Sequence, residues 1–463
     1  MFINRVGARL LSAPEMAEAL HEYHEGHDLT LAVAQSARPL VLAALWAESP
    51  RPCLLVVAGE EAADRTARTL AAWLGMPSVS RYPARKDYPW SDAGYDDAIV
   101  GARCHAIARL AAGEPCIVVA SAAALLRRVP PKGSAYFAPS TFTTGDEVPF
   151  DDVPALLVGM GYSPKGAADA PGAFWVHGDA VDVFPAQATS PVRIEFFGDE
   201  IDRIRRMVPA TGQTIGELES VTVGPCREMA LSPESIIRAK KALFKPAQES
   251  TKIAEDLELL SQGADAPHLE KYLPVLYGGT ASPLEHISSE TLVVLAEPRA
   301  LFDDCQRAAD DISSAAQNAR EKTEGLYTDP KKLDFGRQQR LSFASIMRQG
   351  AHVTAELKVR QPNIAGSDTK LLGSVRQMIS DRMAVIFAVP DRGAREALEL
   401  TFNDEAIPFV ESLGAAPENR IPVDDPEAEK GIVPLDKGKV TFFDAPVPAG
   451  IIVPTAGLGV LSV

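Results

Sequence analysis

The sequence predicts an α/β protein: a parallel sheet with helices on both faces, interrupted by a small antiparallel α+β unit and followed by a further α/β unit. Three observations carry that expectation. Short apolar runs alternate with helical patterns through the first 130 residues, as parallel strands joined by crossover helices require. Near Pro130-Pro131 the grammar changes to short strands of alternating polarity. Past residue 210 helices and buried-strand runs return. A chain of 463 residues supports three or four units at roughly 100–200 residues each. The boundaries fall at 1–130, 131–210, 211–328 and 329–463.

In order, LTLAVA (29–34) reads as a buried strand and PLVLAALWAES (39–49) as the helix after it. CLLVVA (53–58) is the next strand. EEAADRTARTLAAWLG (60–75) has helical spacing of Ala, Leu and Trp, with Gly75 as the stop. DDAIVGARCHAIARLAAG (96–113) is helical, CIVVA (116–120) a strand, and SAAALLRRV (121–129) a helix capped by Ser121. PFDDVPALLVGMGY (149–162) is a helix. It leads into AFWVHGD, AVDVFPA, VRIEFFGD and EIDRIRRM, four strands of an antiparallel meander. Residues 233–263 are largely helical, TLVVLAE (291–297) is a buried strand, and 300–322 is a long polar-faced helix. A joint is expected around TDPKKLDFG (328–336). MAVIFAVP (383–390), REALELTFND (395–404) and KVTFFDA (439–445) continue the alternation, and the Pro-, Asp- and Glu-rich stretch 415–438 reads as loop.

Composition narrows the function. Apolar residues make up 46% and charged residues 23%, enough for ordinary cores. The net charge of −16 and pI near 5.1 argue against a protein whose main work is gripping phosphates. They favour protein partners or a small-molecule site. The five cysteines form no CxxC pair and number oddly, so free thiols in a reducing cytoplasm are expected, with no disulfide or zinc site. No apolar run approaches the length of a membrane span, and the start lacks the apolar core of a signal peptide.

The loop after the first strand has the position of a nucleotide-binding loop without its chemistry. Wrapping phosphates needs glycines, a Lys and a Ser/Thr for magnesium. Gln35, Ser36, Ala37, Arg38 and Pro39 stand there instead, and no GxxxxGK[ST] occurs anywhere. The expected sheet is therefore a degenerate P-loop NTPase-like one that does not hydrolyse ATP. Ala296-Glu297 ends the strand where an Asp-Glu pair would sit, and reads as structural. His21, His24 and His27 lie three apart with Gly26 breaking the helix, which fits a solvated helix end better than a metal site. Asp92, Asp96 and Asp97 suit a helix start as cap and dipole partners, and Arg127 and Arg128 suit a helix end. No Ser/His/Asp or Cys/His set occurs in local context.

The most specific stretch is 161–207, GYSPKGAADAPGAFWVHGDAVDVFPAQATSPVRIEFFGDEIDRIRRM. Gly172, Phe174, Val176, Gly178, Asp182, Phe184 and Pro185 match one shared pattern. Arg193, Glu195, Phe196, Phe197, Gly198, Asp199, Glu200 and Ile201 match its second half. This resembles the second domain shared by the excinuclease subunit UvrB and the transcription-repair coupling factors. YPARKDYPW (82–90), TGQTIGELESVTVGP (211–225) and HLEKYLPVLYGG (268–279) resemble further segments. With no working P-loop at 35–39, the likeness is to the coupling factors rather than to UvrB. It implies that 211–328 completes the first, UvrB-like domain and that 329–463 is a third domain.

The resemblance implies an N-terminal part that recruits the repair ATPase UvrA. It further implies no enzymatic activity and no cofactor in this chain: ATP and magnesium, and the contacts with RNA polymerase and DNA, belong to C-terminal motor and polymerase-binding domains missing from it. A cytoplasmic protein with no membrane contact follows. The UvrA-binding residues carried over are Pro164, Lys165, Trp175, His177, Phe184 and Arg193. The family's Arg before the central glycine is His177 here, and the Arg after the Gly-Tyr is replaced near Pro164, with Lys165 as its substitute. Trp175 and Phe184 stand as anchors, although Phe184 reads first as core, and Arg193 equally as a surface partner of Glu195 or Asp199. A UvrB-like DNA-loading subunit and an unrelated α/β enzyme are the alternatives. The missing P-loop and the acidic charge weigh against the first. A deep polar pocket away from 161–207 would favour the second.

Overall fold

The computed structural model describes all residues except 1, 95, 134–137, 265, 346–352, 363–367, 411–434, 448 and 463. The chain opens with α1 (Phe2–Leu11), α2 (Met16–His24), β1 (Leu29–Val33), α3 (Arg38–Glu48), β2 (Cys53–Val57), α4 (Glu60–Leu74), β3 (Val79–Tyr82), α5 (Asp97–Ala112) and β4 (Ile117–Ser121). The second stretch holds β5 (Ser140–Thr143), α6 (Asp152–Gly159), β6 (Ser163–Pro164), β7 (Ala173–His177), β8 (Ala180–Val183), β9 (Val192–Phe197), β10 (Glu200–Met207), β11 (Thr214–Leu218) and β12 (Ser220–Val223). Then come α7 (Pro233–Glu249), α8 (Thr251–Ser261), α9 (Leu273–Tyr277), β13 (Leu292–Ala296), α10 (Pro298–Ala319), β14 (Arg340–Ala344) and β15 (Ala355–Leu357). The last are α11 (Asp368–Ser380), β16 (Ala384–Val389), α12 (Arg392–Asp404), β17 (Phe409–Val410), β18 (Val440–Asp444), β19 (Ile451–Val453) and β20 (Leu458–Ser462).

A seven-stranded sheet in the order β15-β1-β14-β13-β2-β4-β3 forms the centre, and every pairing in it is parallel. All five residues of β2 and of β4 are buried, as strands covered on both faces must be. Successive side chains point to opposite faces. Leu55, Val57, Val119 and Val294 therefore join the core under α1 to α4, while Leu54, Val56, Val118 and Val293 join the one under α5 and α10. Two strands of this sheet, β14 and β15, lie beyond 328–336, where a joint was expected.

The expected helix over 121–129 is only a 3₁₀ turn at Ala123–Leu125, with the Ser121 hydroxyl accepting from the Ala124 N–H at 3.1 Å. The chain then extends, because Arg127 bridges Tyr327 and Val129 bridges Ala281. The helix-dipole reading of Arg127 and Arg128 falls with that helix. Arg127 pairs with Asp87 and Glu270, and Arg128 hydrogen-bonds Thr280. The Pro- and acid-rich loop expected at 415–438 lies largely outside the described residues.

The inserted unit is a six-stranded sheet, order β11-β10-β9-β8-β7-β6, antiparallel except for the β6–β7 pair. Its inner face packs Phe174, Val181, Ile194 and Ile204 against Val153 and Leu157 of α6. The β7–β8 and β9–β10 hairpins turn through two residues each, and Gly178 and Gly198 supply the positive φ (56° and 65°) these tight turns need. The last sheet, β17-β18-β16-β20-β19, shares the central core. Trp73 of α4 stacks on Phe443 of β18, ring centroids 4.9 Å apart.

Three buried arginines and three carboxylates tie the inserted unit and the helical segment to the centre. Arg85 reaches Asp87 (2.6 Å), Glu228 (3.1 Å) and Glu270 (3.0 Å). Arg103, fully buried, donates to Glu228 at 2.6 Å and lies over the Tyr82 ring. The set is balanced in charge. Burial alone pushes the Glu228 carboxyl up, but Arg103, Arg85 and Arg127 outweigh it and hold that group below its usual range.

Candidate partner interface

The outer face of the six-stranded sheet follows from its register. Trp175 stands opposite Asp182, Asp182 opposite Arg193, Arg193 opposite Arg205, and Arg205 opposite Glu217. In the next row His177 faces Ala180, which faces Glu195. By the two-residue period these side chains share the face turned away from α6.

The row is a ladder of paired charges. Arg193 grips Asp182 with both prongs, Nε to Oδ1 at 2.7 Å and Nη2 to Oδ2 at 2.8 Å. These hydrogen bonds raise the Arg193 pKa further. Arg205 donates to Glu195 at 2.9 Å. The partner of Arg193 is Asp182 and not Glu195 or Asp199, the two expected: a side chain directly across the strands is nearer than one two residues along the same strand. His177 stacks on Trp175, centroids 4.1 Å apart, with its Nε2 3.2 Å from Asp182 Oδ2. Asp182, only 2% exposed, thus takes both prongs of Arg193 with the His177 ring close beside it.

Trp175 is 37% exposed and Phe197, on the outward side of β9 with Arg193 and Glu195, is 81% exposed. Pro164 and Lys165 are exposed at the β6 edge, where the Lys165 N–H donates to the Phe174 carbonyl at 2.8 Å. Of the six carried-over residues, Pro164, Lys165, Trp175, His177 and Arg193 lie on or beside this face. Phe184 does not: it is 5% exposed, with its backbone paired to Gly172 and Ala173. The residue missed was Phe197. The alternation of VRIEFF, with Ile194 and Phe196 inward, is the signal that places it outside.

At the other candidate, Gln35, Ser36 and Ala37 form a 3₁₀ turn and Arg38 and Pro39 begin α3. The Arg38 side chain is spent on protein groups. Its Nε donates to the Val33 carbonyl (3.1 Å), and its Nη2 donates to Ser345 Oγ (2.7 Å) and to Glu297. Glu297 has a left-handed backbone, φ 60°. Burial pushes its carboxyl up, but hydrogen bonds from Ser345 and Arg38 bring it below the usual value. Asp96 caps α5, accepting from the Ala98 and Ile99 N–H groups at 2.9 and 3.4 Å, while Asp97 pairs with Arg227 and Asp92 with His268. All five cysteines are buried and none is in a disulfide. No helix among the described residues is long and apolar enough to cross a membrane.

Residues 141–229 match the family described as the UvrB interaction domain, a span that holds every strand of the six-stranded sheet. The transcription-repair-coupling factor of Bacillus subtilis (strain 168) is 26% identical over 444 residues, 89% of this chain and 38% of that protein. The one from Myxococcus xanthus is 33% identical over 271 residues, 56% of this chain and 22% of its own length. The UvrABC system protein B of Bifidobacterium longum (strain NCC 2705) is 30% identical over 224 residues, 44% of this chain and 31% of that protein. The chain is similar to the N-terminal, UvrB-like region of the transcription-repair coupling factors, and its matches cover 22% to 38% of these relatives' length.

Proposed function

We propose that this chain acts in transcription-coupled nucleotide excision repair as a docking module that recruits a UvrA-type repair ATPase. The docking surface is the outer face of the six-stranded sheet. The observation that supports this most is the coincidence of two things: the span matching the UvrB interaction domain, and a sheet face that leaves Trp175 and Phe197 in water around a paired-charge ladder. Aromatic anchors ringed by satisfied polar groups are what a protein interface uses for affinity. Here the ladder orients and the rings bind.

The chain neither hydrolyses ATP nor holds a cofactor in this reading, since the loop at 35–39 lacks glycine and Lys and Arg38 is already bonded to Glu297 and Ser345. Contacts of the full-length relatives with RNA polymerase and DNA are assigned to none of its described residues. A repair role implies the cytoplasm. The UvrB-like DNA-loading reading predicts DNA-stimulated ATPase activity in this chain, and a null result there removes it.

The test is calorimetric titration of the purified chain with UvrA from the same organism. Wild-type binding at micromolar concentration, weakened ten-fold or more in Trp175→Ala with unchanged thermal unfolding, supports the reading. Equal binding by the variant, or none by the wild type, overturns it.

A further inference from the structure

A cavity lies at the carboxyl ends of β1, β2, β13 and β14, a place the docking reading does not use. Its volume is about 500 Å³, within the range of small-molecule sites, roughly 300–1,000 Å³. Open parallel sheets bind ligands outside the carboxyl ends of their strands. The floor is apolar, with Leu42, Leu55, Val57 and Phe343. The rim is polar, with Gln35, Arg38, Glu297 and Ser345.

Arg38 carries the argument. It is 8% exposed and lines the cavity; among the described residues its hydrogen bonds run from Nε and Nη2, and its Nη1 amino group is left to solvent. A donor open to water at a cavity rim can exchange that water for a ligand acceptor. Beside it stand the Glu297 carboxylate, an acceptor, and the Gln35 amide, which is both. A ligand edge that carries adjacent acceptors and donors matches this rim.

Charge decides what else the ligand carries. The lining holds Arg38 and Arg299 against Glu297 and Asp303, so it is neutral overall and contains no lysine and no glycine. Pro39, at the start of α3, offers no N–H. Each arginine is matched by a carboxylate, so no net positive charge is left to hold a phosphate chain. An apolar floor, a donor–acceptor rim and zero net charge describe a flat, uncharged heterocycle. We propose that this cavity binds a neutral nucleoside, its base edge held by Arg38 and Glu297 and its ring over Leu55 and Phe343, and that added phosphates weaken the binding.

The test is ligand-observed saturation-transfer NMR with titration of adenosine, AMP and ATP against the full chain. The expected result is adenosine tightest, with a Kd of roughly 0.1–1 mM as befits a ligand of that size, AMP weaker, and ATP weakest by ten-fold or more. Two variants keep the outcome clear. Ala300→Trp fills the cavity from the first turn of α10, where Ala300 is exposed, and abolishes binding. Arg38→Met removes the donor and weakens adenosine at least five-fold. ATP binding tighter than adenosine, adenosine binding untouched by Ala300→Trp, or no binding of any of the three at about 1 mM overturns the proposal. Its failure leaves the docking reading intact, because the UvrA titration reads a different face.

Discussion

The seven-stranded and six-stranded sheets use the same pleat but meet water differently. In the first, β2 and β4 are buried at every residue, with helices on both sides. In the second, β9 alternates buried and open positions, with α6 on one side and solvent on the other. A sheet closed on both faces can act only at its strand ends, where the Arg38 cavity lies. A sheet open on one face offers that whole face. The contrast extends to ion pairs. Arg–carboxylate pairs at the joint between the units are dry, whereas the Arg205–Glu195 pair on the open sheet is 28% and 25% exposed at its two side chains. The same chemistry should therefore cost very different amounts to remove.

The largest expected effect is at the joint. Glu228→Ala leaves Arg103, fully buried, without its carboxylate, and takes a partner from Arg85. Breaking one side of a buried pair costs about 3–5 kcal/mol. Urea unfolding should show a loss of this size. Glu195→Ala, which strips Arg205 on the open sheet, should cost about 1 kcal/mol or less. Equal losses would break the comparison, because burial would then not be what distinguishes the two networks.

How much of this the sequence disclosed follows the same divide. The continuous apolar runs at 53–58 and 116–120 announced β2 and β4, and the alternation over 192–197 announced an open strand. Long-range pairing left no local trace. Nothing in SAAALLRRV says that Arg127 will meet Tyr327 and Glu270, so a helix was the natural expectation. β14 (RLSFA) alternates polar and apolar residues instead of forming a continuous apolar run, and β15 is only three residues long. At the site, Arg193 has Glu195 two residues away in sequence, and only the register reveals Asp182 as its partner. Phe184 and Phe197 sit in equally well-matched motifs. Phe197 is open because β9 carries it outward, which the alternation held, whereas Phe184 lies just past the end of β8, where alternation says nothing.

A smaller effect comes from acid. His105 lies on α5, against the closed sheet, and its pKa is lowered to about 4, chiefly by burial and then by Arg109, with Glu114 opposing. Between the ordinary histidine value near 6.5 and about 4, the unfolded chain binds this proton and the folded chain does not. His105 therefore costs nothing above pH 6.5 and takes stability away progressively as pH falls to about 4, roughly 1–3 kcal/mol in all. His105→Asn should flatten that slope. Carboxylates and other histidines titrate in both proteins, so the difference between their urea curves at pH 7.5 and 4.5 isolates this residue. An identical slope in the variant would mean that water reaches His105 and the closed face is less closed than its burial implies.

The smallest expected change in stability is at Phe197, and it separates the two sheets most sharply. The ring is 81% exposed, so Phe197→Ser gives up almost no burial and should shift unfolding by no more than about 0.5 kcal/mol. Phe196, its neighbour on β9, is 3% exposed in the core against α6 and forms an edge-on contact with Phe150. Phe196→Ala should cost about 3–5 kcal/mol. Partner binding reverses the order of interest. If the open face docks a UvrA-type protein, Phe197→Ser lowers affinity about five-fold while the fold is untouched, since an exposed aromatic is an anchor held in reserve. If affinity stays at the wild-type value while Trp175→Ala still weakens it, the contact covers the β7 end of the ladder and stops short of the β9–β10 hairpin.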